Sequence, residues 1–180
     1  MEDLIQFRPI EPEDLEVLRG YINDESVMVS SGAPYRQVSS HQQQQWWEAL
    51  QKNKSRYVIA IVDKRKELTI GTVGLYDIHP VHRTAQFRIR IGNKSYWGKG
   101  VGTSATAYMV DYAFRHLCLR RVWLDVIENN ARALAVYEKV GFSREGLLRK
   151  AAYSNGQELN VIVMGILAQE YNRKVAKGEP

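Results

Sequence analysis

Residues 95–105 read Ser-Tyr-Trp-Gly-Lys-Gly-Val-Gly-Thr-Ser-Ala, and the passage from loop to helix inside this stretch decides how the chain folds. Gly98, Gly100 and Gly102 alternate with Lys99 and Val101. Beyond them Ala105, Tyr108, Met109, Tyr112 and Leu117 recur at helical spacing, predicting a helix over 103–117. Three alternating glycines carry a conformational-entropy cost that a plain turn does not need. The first amides of a helix lack intrahelical acceptors and lie at the positive end of its dipole, so bare backbone there forms an anion cradle. Phosphate is the expected guest. The spacing excludes two common phosphate loops. An NTPase loop puts lysine directly after its last glycine, where this chain has Thr103. A dinucleotide fingerprint starting at Gly98 and Gly100 requires its third glycine at that same position.

Working outward, the cradle is preceded by three strand patterns, at 56–62, 68–78 and 84–92, joined by the polar turns Asp-Lys-Arg-Lys-Glu and His-Pro-Val-His-Arg. Before these come a strand at 4–9, a helix in Glu-Pro-Glu-Asp-Leu-Glu-Val-Leu-Arg-Gly-Tyr-Ile, and a polar stretch over 23–40, read as a loop above a site. A helix capped by Ser39 or Ser40 follows. After the cradle come a strand at 120–127 and a short helix with an Asn cap at 129 or 130 and Gly141 as its stop. Strands at 143–152 and 157–167 flank the turn Ser-Asn-Gly-Gln. The pattern predicts one α/β domain over 1–180 with its ordered core at about 4–168. It has a mixed sheet of about six to seven strands and about four helices.

Composition narrows the function classes. The formal charge is +5, but the bases are scattered instead of clustered with aromatics, which argues for a site that takes a small polyanion and against a nucleic-acid surface. No apolar run approaches the roughly 18 residues of a membrane helix, and the acidic start "MEDLIQFRPI" lacks the bases of a signal peptide. One cysteine, Cys118, excludes an internal disulfide and suits the cytoplasm; on the apolar stripe of "RHLCLRR" it reads as a buried thiol. No His, Cys and carboxylate cluster has metal-ligand spacing, so no metal is expected.

Two markers together resemble the Gcn5-related N-acetyltransferase (GNAT) family. The first is Trp97-Gly98-Lys99-Gly100-Val101-Gly102, where the family's pyrophosphate loop has Q/R-x-x-G-x-G/A; Trp97 replaces Gln or Arg. The second is Asn130-x-x-Ala133-x-x-x-Tyr137-x-x-x-Gly141-Phe142. The segments "YWGKGVGTSA", "DIHPVHRTAQFRI" and "YEKVGFSREGLLRKAAYSNGQELNVIVMGIL" are similar to a subgroup of ribosomal-protein N-terminal and polyamine acetyltransferases. The resemblance implies acetyl-CoA as co-substrate and a primary amine as acceptor: a protein N-terminus, a polyamine or an amino sugar. Its alternative is a CoA-holding sensor without turnover. A homodimer stays open.

The resemblance also assigns roles. Lys99–Thr103 would hold the pyrophosphate, and the strand bearing Phe87, Ile89 and Ile91 would pair with the pantetheine arm and supply an oxyanion donor. Asn130 would bond that arm or simply cap its helix, with Ala133 beside it. Tyr137 would donate a proton to the departing thiolate, or serve as a core aromatic on the stripe of Leu134, Tyr137 and Val140. Asp77 is the candidate base. Where the polyamine enzymes carry a second acid, this chain has Gln86. Histidine as a residue type suits a base near neutral pH, but His79 and His82 sit in a strand connection, where they read more readily as turn residues. Trp46 and Trp47 point about 100° apart on a helix, so both pack in the core or one lines the acceptor site.

Overall fold

The computed structural model describes residues 4–32, 34–154 and 156–176. Seven strands form one sheet: β1 (Ile5–Arg8), β2 (Tyr57–Asp63), β3 (Leu68–His79), β4 (Thr84–Ile91), β5 (Arg121–Ile127), β6 (Ser143–Ser154) and β7 (Gln157–Leu167). Their spatial order is β1-β2-β3-β4-β5-β7-β6, and every pair is antiparallel except β4 with β5. The turn expected at 154–157 joins β6 to β7, though its Asn155 lies outside the described residues.

The continuous apolar run of β2 has a simple cause: both faces of the sheet are covered. Ile59 and Ile61 point into the main core with Leu75, Phe87, Met109 and Ile166. Val58, Ala60 and Val62 point the other way, against Leu15 and Leu18 of α1 (Leu15–Ile22) and against Trp46, Trp47 and Leu50 of α3 (Ser40–Lys52). Between them runs α2 (Glu25–Ser30). The main core is closed by α4 (Val101–Arg115) and α5 (Ala131–Val140), and α6 (Ala168–Ala176) docks by Tyr171 on Phe114 and Asp111.

Local chemistry explains most helix ends. Ser39 and Gln42 bond reciprocally across the start of α3, at 3.2 and 2.9 Å, which selects Ser39 over Ser40 as cap. Asn130 accepts from the Ala133 amide at the start of α5, and Gly141 ends it with φ at 117°.

Four expectations need correction. The described residues hold six helices instead of four. The polar 23–40 stretch contains α2, whose six residues are held by the Asp24 cap and by burial of Val27 and Met28. Lys94, from the turn that follows β4, adds a 2.6 Å ion pair to Asp24. The helix α6 begins where the ordered core was expected to end, and its polar sequence is anchored through contacts with α4. The first helix splits, because Pro12–Asp14 form a separate 310 turn before α1. Cys118 is exposed: α4 stops at Arg115, and Cys118 sits in a turn at φ 50°, off the helical stripe.

Candidate active site

The glycine stretch becomes the mouth of α4. Gly98 and Gly100 adopt φ of 73° and 79°, a left-handed conformation that disfavours a Cβ, and Gly100 is the N-cap of the helix. The amides of Val101, Gly102 and Thr103 are the first-turn donors with no intrahelical acceptor. Gly102 has ordinary helical φ, and a Cβ there would meet the protein only at 3.6 Å or beyond. Packing therefore does not require this glycine, yet it faces the cavity, as a cradle for a close-fitting anion would. Val101 turns its side chain into the core and Lys99 points outward, 6.0 Å from the Tyr96 ring, so these two offer only backbone.

Trp97, the residue that departs from the family pattern, donates from its indole to the Ile91 carbonyl at 2.8 Å. Its ring carries the guanidinium of Arg132 at 4.1 Å, a cation–π contact that stations a positive charge beside the cradle. Arg132 thus adds a cation beside a loop whose own lysine, Lys99, points outward.

Below the cradle the sheet opens. The parallel pairing of β4 with β5 runs only from Thr84 to Gln86, whereas β5 stays paired to β7 through Ile127. From Phe87 to Ile91 the β5-facing peptide groups of β4 therefore have no strand partner. A cavity of about 600 Å³ occupies the gap. It is lined by Phe87, Ile89 and Ile91 from β4, and by Trp97, Gly98, Gly100, Gly102 and Thr103 from the cradle. Asn130, Ala133 and Tyr137 close it from the α5 side. Eleven of the thirteen expected cofactor residues meet here, Lys99 and Val101 being the others.

Tyr137 is buried against Phe87 and Phe142. Burial, with the charge of Asp125 adding to it, pushes its hydroxyl up to about 12. Asp125 also lines the cavity. It accepts a hydrogen bond from Gln86, whose oxygen in turn accepts from Arg88 at 2.6 Å. Asn130 does more than cap: its amide donates to the Ser30 carbonyl at 2.7 Å, tying α2 over the cavity. Gly32 follows closely, since a Cβ there would stand 2.2 Å from Ile127.

Asp77 lies elsewhere. It is exposed, at φ 50° in the bulge where β3 loses register with β4, and lines no described cavity. His79 and His82 are exposed in the following turn, stacked at 4.1 Å.

The opposite sheet face carries a second cavity of about 320 Å³. Its floor is Thr72, Tyr76 and Arg90; Tyr21 of α1, Gln43 and Trp46 of α3, and Arg36 form its sides. Trp46 thus faces a site, whereas Trp47 is anchored by its indole to the Ile10 carbonyl at 3.0 Å. Arg90 lines both cavities.

Sequence reasoning missed Asp125, Arg132, Arg90 and Gln43. No spacing rule connects them, because each reaches its place through strand or helix packing over tens of residues.

The sequence profile described as "Acetyltransferase (GNAT) domain" matches residues 5–143. The spermidine N(1)-acetyltransferase of Escherichia coli K12 is 33% identical over 168 residues, covering 93% of this chain and 88% of that protein. The Bacillus subtilis protein named putative ribosomal N-acetyltransferase YdaF is 33% identical over 101 residues, 56% of this chain and 55% of its own. Among solved structures, spermidine N-acetyltransferase from Vibrio cholerae in complex with CoA and spermine superposes with a TM-score of 0.87 at 27% identity. That match covers 94% of this chain and 99% of the other. A sensor without turnover is not favoured by relatives of this kind. The chain belongs to the GNAT acetyltransferase family and is an N-acetyltransferase that transfers the acetyl group of acetyl-CoA to an amine.

Proposed function

We propose that the chain acetylates a small-molecule primary amine by direct attack, in the cytoplasm, with Tyr137 at the departing sulfur and Asp125 at the incoming amine. The observation that carries this is the opening of the sheet after Gln86 and Trp123, which puts both side chains on one cavity. The names of the spermidine acetyltransferase relatives support the small-molecule class.

Bound acetyl-CoA supplies a thioester carbonyl. The first-turn amides of α4 and the Arg132 charge hold its pyrophosphate, and the unpaired amides of Phe87–Ile91 run beside its arm. One of those amides stabilises the carbonyl oxygen as it gains charge.

Magnitudes divide the proton work. At pH 8 an alkylammonium with pKa near 10.4 loses its proton to solvent at a cost of about 3.3 kcal/mol. The amine's proton therefore leaves to water, while Asp125, on the cavity wall, attracts and orients the amine. Tyr137, at about 12, is protonated throughout the working range. Full transfer to a thiolate near 8.5 is uphill by about 4.8 kcal/mol, so Tyr137 stabilises the sulfur by a donated hydrogen bond and water completes the protonation.

The test is thiol release from acetyl-CoA across diamines, amino acids, amino sugars and short peptides, with Tyr137→Phe alongside. Turnover of small amines, with kcat cut at least about tenfold in the variant and CoA affinity kept, is the expected result. Turnover confined to peptides would replace the small-molecule acceptor with a protein N-terminus.

A further inference from the structure

Gln43 is 2% exposed, and its Nε2 has no hydrogen-bond partner among the described residues; the only other buried side-chain nitrogen in that condition is Nε of Arg90. Both residues line the smaller cavity. A native fold rarely leaves two buried donors unmet at one place, and a half-buried guanidinium without a counter-charge is costly. Arg90 has no ion pair with a described carboxylate, and its charged neighbour, Arg88, is also positive. Arg36 adds another cation to the lining, and no Asp or Glu contributes to it. The cavity is built for hydrogen-bond acceptors and negative charge.

Its place in the fold says what the anion belongs to. Gln86, Arg88 and Arg90 alternate onto one face of β4, opposite Tyr76, Gly74 and Thr72 of β3. Gln86 reaches Asp125 on the same side, at the edge of the cofactor cavity. The face thus runs from a carboxylate on the wall of the larger cavity to two unmet donors in the smaller cavity, with Arg90 lining both. The cofactor's phosphates cannot meet Gln43, because that residue lines only the smaller cavity.

We propose that the smaller cavity receives the anionic end of the acceptor, so that the substrate is a small primary amine bearing a carboxylate or phosphate instead of a polyamine. This rests on the direct-attack reading above. The amine binds toward Asp125 and forms the new N–C bond; the thioester C–S bond breaks, and the proton lost by the amine is balanced by the one gained by the thiol. A second ammonium would instead face Arg36, Arg88 and Arg90. The relatives named for spermidine and this chain then share chemistry and cofactor but differ in acceptor charge.

The test uses the full chain and compounds matched in length: 4-aminobutyrate, 2-aminoethyl phosphate, 1,4-diaminobutane and butylamine, which carries no second charged group. At least one anionic amine is expected to exceed the diamine at least tenfold in kcat/KM, and which one does so separates carboxylate from phosphate. Arg90→Gln is expected to raise KM for that amine at least tenfold and to abolish its ability to raise the Tm of the enzyme. Gln43→Glu, which adds a carboxylate, is expected to shift preference toward the diamine and keeps the proposal falsifiable if Arg90→Gln does not fold. Preference for the diamine, or turnover of butylamine with neither anionic amine favoured, overturns the proposal alone. Failure to bind CoA by calorimetry overturns instead the function beneath it.

Discussion

Tyr137 and Asp125 are the residues whose chemistry is most exposed to experiment. Because burial, then the Asp125 charge, raises the Tyr137 hydroxyl to about 12, that group loses its proton only as pH climbs through that value. The rate should rise from pH 7 to 10 as the amine deprotonates, with no falling limb from Tyr137. Tyr137→Phe should lower the whole profile about tenfold or more without changing its shape, as measured by kcat against pH. The two carboxylates can be separated by a matched pair of variants. Asp125→Asn should lower kcat/KM about tenfold or more, whereas Asp77→Asn, in an exposed bulge outside the cavities, should change it less than about twofold, by steady-state kinetics. The reverse ranking would restore Asp77 as the functional acid.

At the scale of elements, the mouth of α4 and the clasp around β1 make opposite demands. Alanine at Gly102 fits the protein, with no contact under 3.6 Å, and favours helix. Gly102→Ala should leave Tm unchanged or slightly higher while weakening CoA binding about tenfold, by calorimetry. The clasp is structural: Asp14, 4% exposed, accepts from Arg8 at 2.6 and 2.8 Å, from the Thr69 hydroxyl and from the Glu11 amide, joining β1, the 310 turn and β3. Burial pushes the Asp14 carboxyl up, but these hydrogen bonds and the Arg8 charge together outweigh it, so its pKa is lowered. A lowered folded-state pKa means a stabilisation present above the unfolded value near 3.9 and lost as pH falls through the folded one. Asp14→Asn should cost about 1–3 kcal/mol at pH 7 in urea unfolding, and less below pH 4.

For the whole molecule, the open seam between β4 and β5 is the feature that ligand must bridge. Strands β1–β4 and β5–β7 share only three ladder pairs there, Thr84–Arg121, Ala85–Val122 and Gln86–Trp123. On the proposed binding mode CoA would touch both parts, so it should stabilise the fold by mass action. At 100 times its Kd the gain is about 2.7 kcal/mol, a rise in Tm of about 5–10 °C for a chain of this size, readable by calorimetry. A rise confined to the noise would mean that CoA does not engage the seam.

The sequence by itself determined the parts whose physics is local. Three alternating glycines mark a bare-backbone loop at the mouth of a helix, an Asn at 129 or 130 and Gly141 mark the two ends of α5, and the apolar run over 56–62 marks β2 as a strand. These sufficed for the seven strands in chain order, the glycine loop at the mouth of α4 and the family resemblance. They did not reveal α2 or α6, because each depends on partners across the fold: Lys94 for Asp24, and Asp111 and Phe114 for Tyr171. They also placed Cys118 inside when the helix ends three residues short of it. Only the tertiary structure decided where the sheet opens, that Asp125 instead of Asp77 faces Tyr137's cavity, and that Arg90 and Gln43 share unmet donors. Those are relations between side chains on separate strands and helices, set by register and packing, which no short window of sequence encodes.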